Sequence, residues 1–521
     1  MKKIFYLIII LSAGLISSCK KDNKNNSTGP SKTGSTLDLI KDSIYLYAAE
    51  DYLWNTQLPT YATFNPRSFI NTVDLTALTN ELNALSQYAI NPATNQPYEY
   101  YANAPGEAKY SFIDDGTETA ALNGTNGDFG FAPEYNGNDI TDLRVKYVYP
   151  GSPAYLQGIK RGYRITSING NSNISYDAPG YGTGTSVNLN FVVNAYSNSS
   201  AITMTLLKPD STTVTVNLAV ADYTINPVLK DTVYTEPNGH KVGYLVFNSF
   251  TSDANADPVL NAAFNNFTSQ NITDLVVDLR YNGGGYVSTA EYIDNLIVPA
   301  AKSGLPMYNT YYNANLVSGK DPLLKNQWRK DPSGGPDYNY GQLNFSVDSN
   351  AVKFVKQGSL NVNRVFFIIT SATASASELT INNLRPEMNV QFIGETSYGK
   401  PVGFFDIDIN KYIMYTPEFS VQNSAGQGGY YAGFTPGTTD YPGAATPDDV
   451  TKDFGDPTEG MLSTVLNYVQ TNAYVAQNTT AHLNSNRKFI SVQEANRMIV
   501  RMNNRSFSGM ILNKKFRSKK K

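Results

Sequence analysis

Three short stretches bring together residue types that can do nucleophilic chemistry. Thr373-Ala374-Ser375-Ala376-Ser377-Glu378 follows the apolar run Ile368-Ile369 and leads into a segment of helical composition. A serine there stands where the helix dipole stabilises developing negative charge. Val276-Val277-Asp278-Leu279 runs into Arg280-Tyr281-Asn282-Gly283-Gly284-Gly285, a glycine-rich turn ahead of a helix expected over 287–296; such a turn presents free backbone N–H groups. Ile393-Gly394-Glu395-Thr396-Ser397-Tyr398-Gly399-Lys400-Pro401 places a lysine 25 residues after Ser375. Read alone, Gly394 to Lys400 has the spacing of a phosphate-binding loop. That loop needs Ser or Thr after its lysine to hold magnesium, and here Pro401 stands in that place and removes a backbone donor. A nucleotide is therefore not expected as a partner.

Composition narrows the chemistry further. The 521 residues carry 41 Lys+Arg against 44 Asp+Glu, a net charge of −3, so no global field attracts nucleic acid. A single cysteine excludes an internal disulfide framework and a cysteine-cluster metal site, and two histidines argue against a histidine-based one. No metal and no organic cofactor are expected.

The elements that must position these stretches follow from the hydrophobic pattern. Leu37, Ile40, Ile44, Tyr47 and Ala48, then Leu75, Leu78, Leu82 and Leu85, recur at helical spacing. From about residue 115 short alternating runs are broken by Gly and Asn, and Thr203 to Leu207 and Thr213 to Leu218 flank the hairpin signal Lys208-Pro209-Asp210-Ser211. From about residue 241 the apolar, β-branched runs Val242–Phe247, Leu275–Leu279 and Val365–Ile369 alternate with helical segments, which argues for an α/β core. The expected fold is mixed α/β and multidomain: a helical region over 36–115, a small β-rich domain over 116–222, the α/β core over 223–470 and a polar, basic tail over 471–521.

Three resemblances sharpen this outline. Lys2-Lys3, the short apolar run Ile4–Ala13 and Leu15-Ile16-Ser17-Ser18-Cys19 resemble a bacterial lipoprotein signal. The resemblance implies removal of residues 1–18, lipidation of Cys19, a flexible tether over 19–35, and anchoring in the cell envelope, at the outer membrane. Asp128-Phe129-Gly130-Phe131, Ser152-Pro153-Ala154 and Gly162-Tyr163-Arg164-Ile165 with Ile168-Asn169-Gly170 resemble a PDZ domain. It implies a loop at Phe129, Gly130 and Phe131 that holds the carboxylate of a polypeptide with an apolar C-terminus.

Taken together, the glycine turn, the Ser375 motif and Lys400 resemble the C-terminal processing, or tail-specific, proteases, the S41 serine peptidases, whose core has the ClpP/crotonase-like fold. The resemblance implies that Ser375 is the nucleophile, Lys400 its general base, and the amides of Ala376 and of a glycine in 283–285, most simply Gly284, the oxyanion hole. It implies an endopeptidase acting on polypeptides. The histidine count agrees with a Ser–Lys pair: His240 lies in a polar turn and His482 in the tail, so neither is a promising base. The chain departs from the family at Phe404, where many members have a glutamine that orients the pair. That departure leaves open a second reading, a catalytically silent peptide-binding lipoprotein of the same fold.

Overall fold

The computed structural model describes residues 29–137, 139–330, 335–362, 364–474 and 509–512. Helix α1 (Thr36–Asp51) starts at a capping box in which the Ser35 hydroxyl accepts from the Asp38 amide and the Asp38 carboxylate accepts from the Ser35 amide, each at 3.1 Å. Its apolar stripe packs with Leu78 and Leu82 of α2 (Asp74–Ser86) into the main core of the molecule. The helical region is thus laid directly on the α/β core. Phe112–Asp114 strengthens the junction by pairing antiparallel with Tyr412–Tyr415.

The β-rich unit has a core of its own. Five antiparallel strands follow one another in the sheet: β1 (Phe131–Tyr135), β2 (Leu143–Val148), β3 (Arg164–Ile168), β4 (Ala201–Leu207) and β5 (Thr213–Ala219). Helix α3 (Val187–Asn198) seals them with Leu189 and Val192. The β4–β5 turn is closed by Asp210, whose Oδ1 accepts from the Thr212 amide at 2.9 Å. The chain enters and leaves this unit side by side, because Thr125–Asp128 pairs antiparallel with Ala221–Thr224.

The central sheet runs in the order β6 (Val228–Thr235), β7 (Lys241–Phe247), β8 (Asp274–Asp278), β10 (Arg364–Ile369), β11 (Asn389–Gly394) and β14 (Gly443–Ala445). All neighbours are parallel except β6 with β7. Parallel strands need cover on both faces, and the period-two alternation supplies it. Val276, Phe366 and Ile368 face α7 (Gly460–Thr471). Leu275, Val277, Val365, Phe367 and Ile369 face the core that holds α4 (Asp253–Ser269), α5 (Val287–Ile297) and α6 (Ala376–Leu384). The short strand β9 (Gly284–Tyr286) precedes α5, and β12 (Val402–Gly403) pairs with β13 (Phe419–Asn423) in a second sheet beside the first. Among the described residues no helix is long and apolar enough to cross a membrane.

One buried ion network fixes the end of β8. Arg280 donates to Asp278 at 2.7 Å, Asp448 at 2.7 Å and Glu459 at 2.9 Å, and Glu459 caps α7 through the Leu462 amide. Arg161 of the β-rich unit reaches the same Asp448 at 2.9 Å and the Tyr281 hydroxyl at 2.6 Å. Arg280→Ala would leave the buried carboxylates of Asp278 and Glu459 without their cation and Asp448 with Arg161 alone. We expect it to cost about 3–5 kcal/mol, read as a fall in the urea unfolding midpoint.

Candidate active site

The glycine turn is built by Asn282. Its Nδ2 donates to the Phe247 carbonyl at 2.8 Å, and its Oδ1 accepts from the Gly284 amide at 2.9 Å. Its own carbonyl accepts from the Ala374 amide at 3.1 Å and the Ser377 hydroxyl at 2.9 Å, which ties this turn to the one that carries Ser375. Gly284 and Gly285 have φ of 111° and 139°. A Cβ on Gly285 would lie 2.0 Å from the Phe250 carbonyl oxygen, so the turn admits only glycine there.

Strand β10 ends at Ile369, and the chain turns through Thr370 to Thr373, whose hydroxyl donates to the Leu279 carbonyl at 2.7 Å and accepts from the Thr370 amide at 3.0 Å. Ser375 then stands just before α6 with φ 59° and ψ −107°. For a residue with a side chain this conformation is strained and persists only where its surroundings hold it. The side chain is fully buried, and its Oγ has no hydrogen-bond partner among the described residues. Ala376 follows as the first residue of α6, with its amide at the helix N-terminus.

Glu378 is what holds this geometry. Its Oε2 accepts from the Ser375 amide at 3.0 Å and the Lys400 amide at 2.7 Å; its Oε1 accepts from the Ser397 hydroxyl at 2.6 Å and the Gly399 amide at 2.7 Å. Each oxygen already has two donors, which leaves no place for a proton and matches a carboxylate. Burial pushes its pKa up while these four donors pull it back. A single side chain therefore fixes Ser375 and Lys400 relative to each other.

Lys400 is fully buried. Its Nζ donates to the Tyr110 carbonyl at 3.3 Å and sits 3.9 Å from the centre of the Phe404 ring. Desolvation holds its pKa well below the usual lysine value; Glu99 and Glu378 oppose the shift and Lys109 adds to it. Phe404, the departure from the family pattern, is thus a wall of the lysine pocket. Phe405 points elsewhere and stacks on Tyr340 at 4.8 Å. The helical region supplies the other walls. Glu99 accepts from the amides of Tyr110 and Ser111 at 3.0 and 2.7 Å and so pins Tyr110. The Lys109 ammonium lies 3.4 Å from the Gly399 carbonyl oxygen, and burial lowers its pKa to about 8.

The remaining expected residues lie apart from this cluster. Phe129 and Phe131 are core residues of the β-rich unit, 1% and 3% exposed. The Gly130 amide donates to Asp128 Oδ1 at 2.6 Å, and the Tyr196 hydroxyl to the Phe131 carbonyl at 2.6 Å, so two backbone groups of that loop are engaged from within the unit. His240 bonds Asp274 at the start of β8, at the end of the sheet away from Ser375. Cys19 and His482 lie outside the described residues. Among those residues no three His, Cys, Asp or Glu side chains are placed to share a metal ion. A cavity of about 1680 Å³ separates the helical region, the β-rich unit and the core; Gly283, Gly284, Tyr398, Lys109 and Phe131 line it.

The spacing of the motifs missed Glu99, Lys109 and Tyr110, which come from a distant part of the chain. Glu378 carried a readable signal, because Ser-x-x-Glu ahead of a helix is a capping pattern.

Residues 241–436 match the model of Peptidase family S41. A protein from Bacteroides fragilis NCTC 9343, solved as a candidate S41 protease, has the same fold: TM-score 0.55 at 22% identity, over 83% of this chain and 97% of that one. More distant are the photosystem II D1 C-terminal processing protease (TM-score 0.40, 18% identity, 79% of this chain and 94% of that one) and a candidate peptidase from Parabacteroides merdae (TM-score 0.34, 12% identity, 79% and 90%). No curated protein matches the chain. Within the α/β core, residues 241–436 are thus similar to the S41 peptidases, and the chain shares its mixed α/β, multidomain fold with the Bacteroides fragilis protein.

Proposed function

We propose that the protein is a serine endopeptidase of the Ser–Lys type that cleaves polypeptides. The observation that carries this reading is the shared carboxylate oxygen of Glu378, which joins the backbone of Ser375 to that of a buried Lys400. In the reaction neutral Lys400 takes the proton of the Ser375 hydroxyl as Oγ attacks the scissile carbonyl carbon. The negative oxygen of the tetrahedral intermediate is held by the Ala376 amide and by the Gly284 amide once it turns from Asn282. Lys400 returns the proton to the leaving amine, and water then releases the acyl group from Ser375 by the same route in reverse.

The β-rich unit is read as a PDZ-like module that favours substrates with apolar C-termini, since Phe131 of its Phe129-Gly130-Phe131 loop lines the large cavity. The carboxylate would replace Asp128 on the Gly130 amide. Cleavage of a loosely folded protein ending in apolar residues tests both statements. Wild type is expected to cut it, Ser375→Ala not at all, and an amidated C-terminus to weaken cutting about tenfold, the scale of one charge-assisted hydrogen bond. No cutting, with binding of the same protein retained, would instead favour the silent binder that Phe404 suggests.

Anchoring through a lipid on Cys19, in a bacterial cell envelope, rests on the signal-like first 19 residues alone. Fatty-acid labelling that Cys19→Ala abolishes is the expected result; labelling that survives the change would contradict it.

A further inference from the structure

The slot between β9 and β12 is filled by the chain itself. Strand β15 (Gly509–Ile511) pairs in parallel with β9, setting Gly509 opposite Gly284, Met510 opposite Gly285 and Ile511 opposite Tyr286. On its other edge the Phe404 amide donates to the Met510 carbonyl at 2.9 Å, and the Leu512 amide to the Phe404 carbonyl at 3.1 Å. The segment is therefore one extended strand held between the glycine turn and the stretch that follows Lys400. Met510 is fully buried, and Ile511 and Leu512 are 3% and 5% exposed.

Its carbonyl groups approach the reactive centre. A Cβ built on Gly284 would lie 2.2 Å from the Gly509 carbonyl oxygen and 3.0 Å from the Ala376 amide nitrogen. The Gly509 carbonyl oxygen and the Ala376 amide, one of the two assigned to the oxyanion, thus both lie against Gly284. Meanwhile Ser375 and Lys400 are fully buried, although the large cavity reaches Gly283 and Gly284.

We propose that this slot is the cleft for the extended polypeptide substrate and that Gly509–Leu512 is a resident occupant that must leave before a substrate reaches Ser375. The proposal rests on the protease reading above and adds its substrate class. A cleft with backbone partners on both edges takes any extended chain through main-chain hydrogen bonds and selects by side chain. The occupant shows the selection: a small residue opposite Gly284, where a close approach leaves little space, and apolar residues at the next three positions. As part of the same chain the occupant competes at an effective concentration on the order of millimolar, so a modest intrinsic affinity keeps the cleft closed.

Tyr286 and Ile511 lie opposite each other, so Tyr286→Cys with Ile511→Cys can lock the occupant by a disulfide. The lock is built into the full chain carrying Ser375→Ala and Cys19→Ser. The probe is a fluorescein-tagged peptide of residues 506–515, and its binding is followed by anisotropy. The reduced protein is expected to bind it at least tenfold more tightly than the oxidised protein, with binding restored by reductant. Equal binding in the two states, weak or strong, would overturn the proposal. In the otherwise native chain Met510→Asp should expel the occupant and tighten peptide binding at least tenfold; unchanged binding to a folded variant would count against it. Neither readout needs turnover. A wild-type chain that cleaves nothing, together with a reversible lock in the Ser375→Ala chain, would refute the protease reading and leave the cleft assignment standing.

Discussion

Replacing Lys400 is expected to lower kcat/KM by about 10²–10⁴, the usual worth of a general base, and Arg is expected to fare no better than Ala or Met. A guanidinium stays charged at every working pH, whereas the ammonium of Lys400 sits in a pocket that disfavours charge: it is fully buried, with Phe404 on one side and the Tyr110 carbonyl as an acceptor. Its lowered pKa sets the sign of two pH effects. Activity should rise with pH as the amine loses its proton, with a midpoint below that of a free lysine. Lys109, its pKa lowered to about 8 beside Gly399, broadens that rise, because its charge repels a proton on Lys400 only until Lys109 itself deprotonates.

Stability follows the same linkage. The folded-state pKa of Lys400 lies below the unfolded one, so between the two values the unfolded chain binds more protons and stability rises with pH. Lys400→Met removes that penalty. It should therefore be inactive yet more resistant to urea than wild type at neutral pH, with the difference shrinking as pH approaches that of a free lysine. A Met variant that is less stable at neutral pH and still active would contradict the assignment.

Glu378→Ala is expected to damage both fold and catalysis. It strips the acceptor from three buried amides and one hydroxyl, and at about 1–3 kcal/mol for each unsatisfied donor the loss should exceed about 3 kcal/mol. It also frees Ser375 from the amide bond that helps hold its positive φ. Glu378→Gln is the discriminating variant. Its side-chain oxygen still accepts two donors while its amide group faces the other two, so it should fold better than Ala. A fall in kcat with KM little changed marks a positioning role; equal loss of binding and turnover would mark a structural one. Urea titration and steady-state cleavage on the same preparations check both parts.

The fold was legible where the signal is local. Val242–Phe247, Leu275–Leu279 and Val365–Ile369 read as buried strands because β-branched runs have few other uses, and the hairpin around Asp210 announced itself by its turn residues. The Ser375 motif and Lys400 were legible through their spacing and their likeness to a family. What surrounds them was not. Tyr110 meets Lys400 across 290 residues and Gly509 meets Gly284 across more than two hundred, and no periodicity encodes such pairings. Phe129 and Phe131 illustrate a different limit. A pattern that places apolar rings beside a glycine loop cannot say whether the rings line a groove or fill a core, and both are buried.

The most direct test is the site and pH dependence of labelling by a fluorophosphonate probe, with the modified peptide identified by mass spectrometry. The probe should mark Ser375 in the wild-type chain, at a rate that climbs with pH and collapses in Lys400→Met. Labelling of another residue, or labelling of Ser375 at the wild-type rate without Lys400, would contradict the Ser–Lys mechanism.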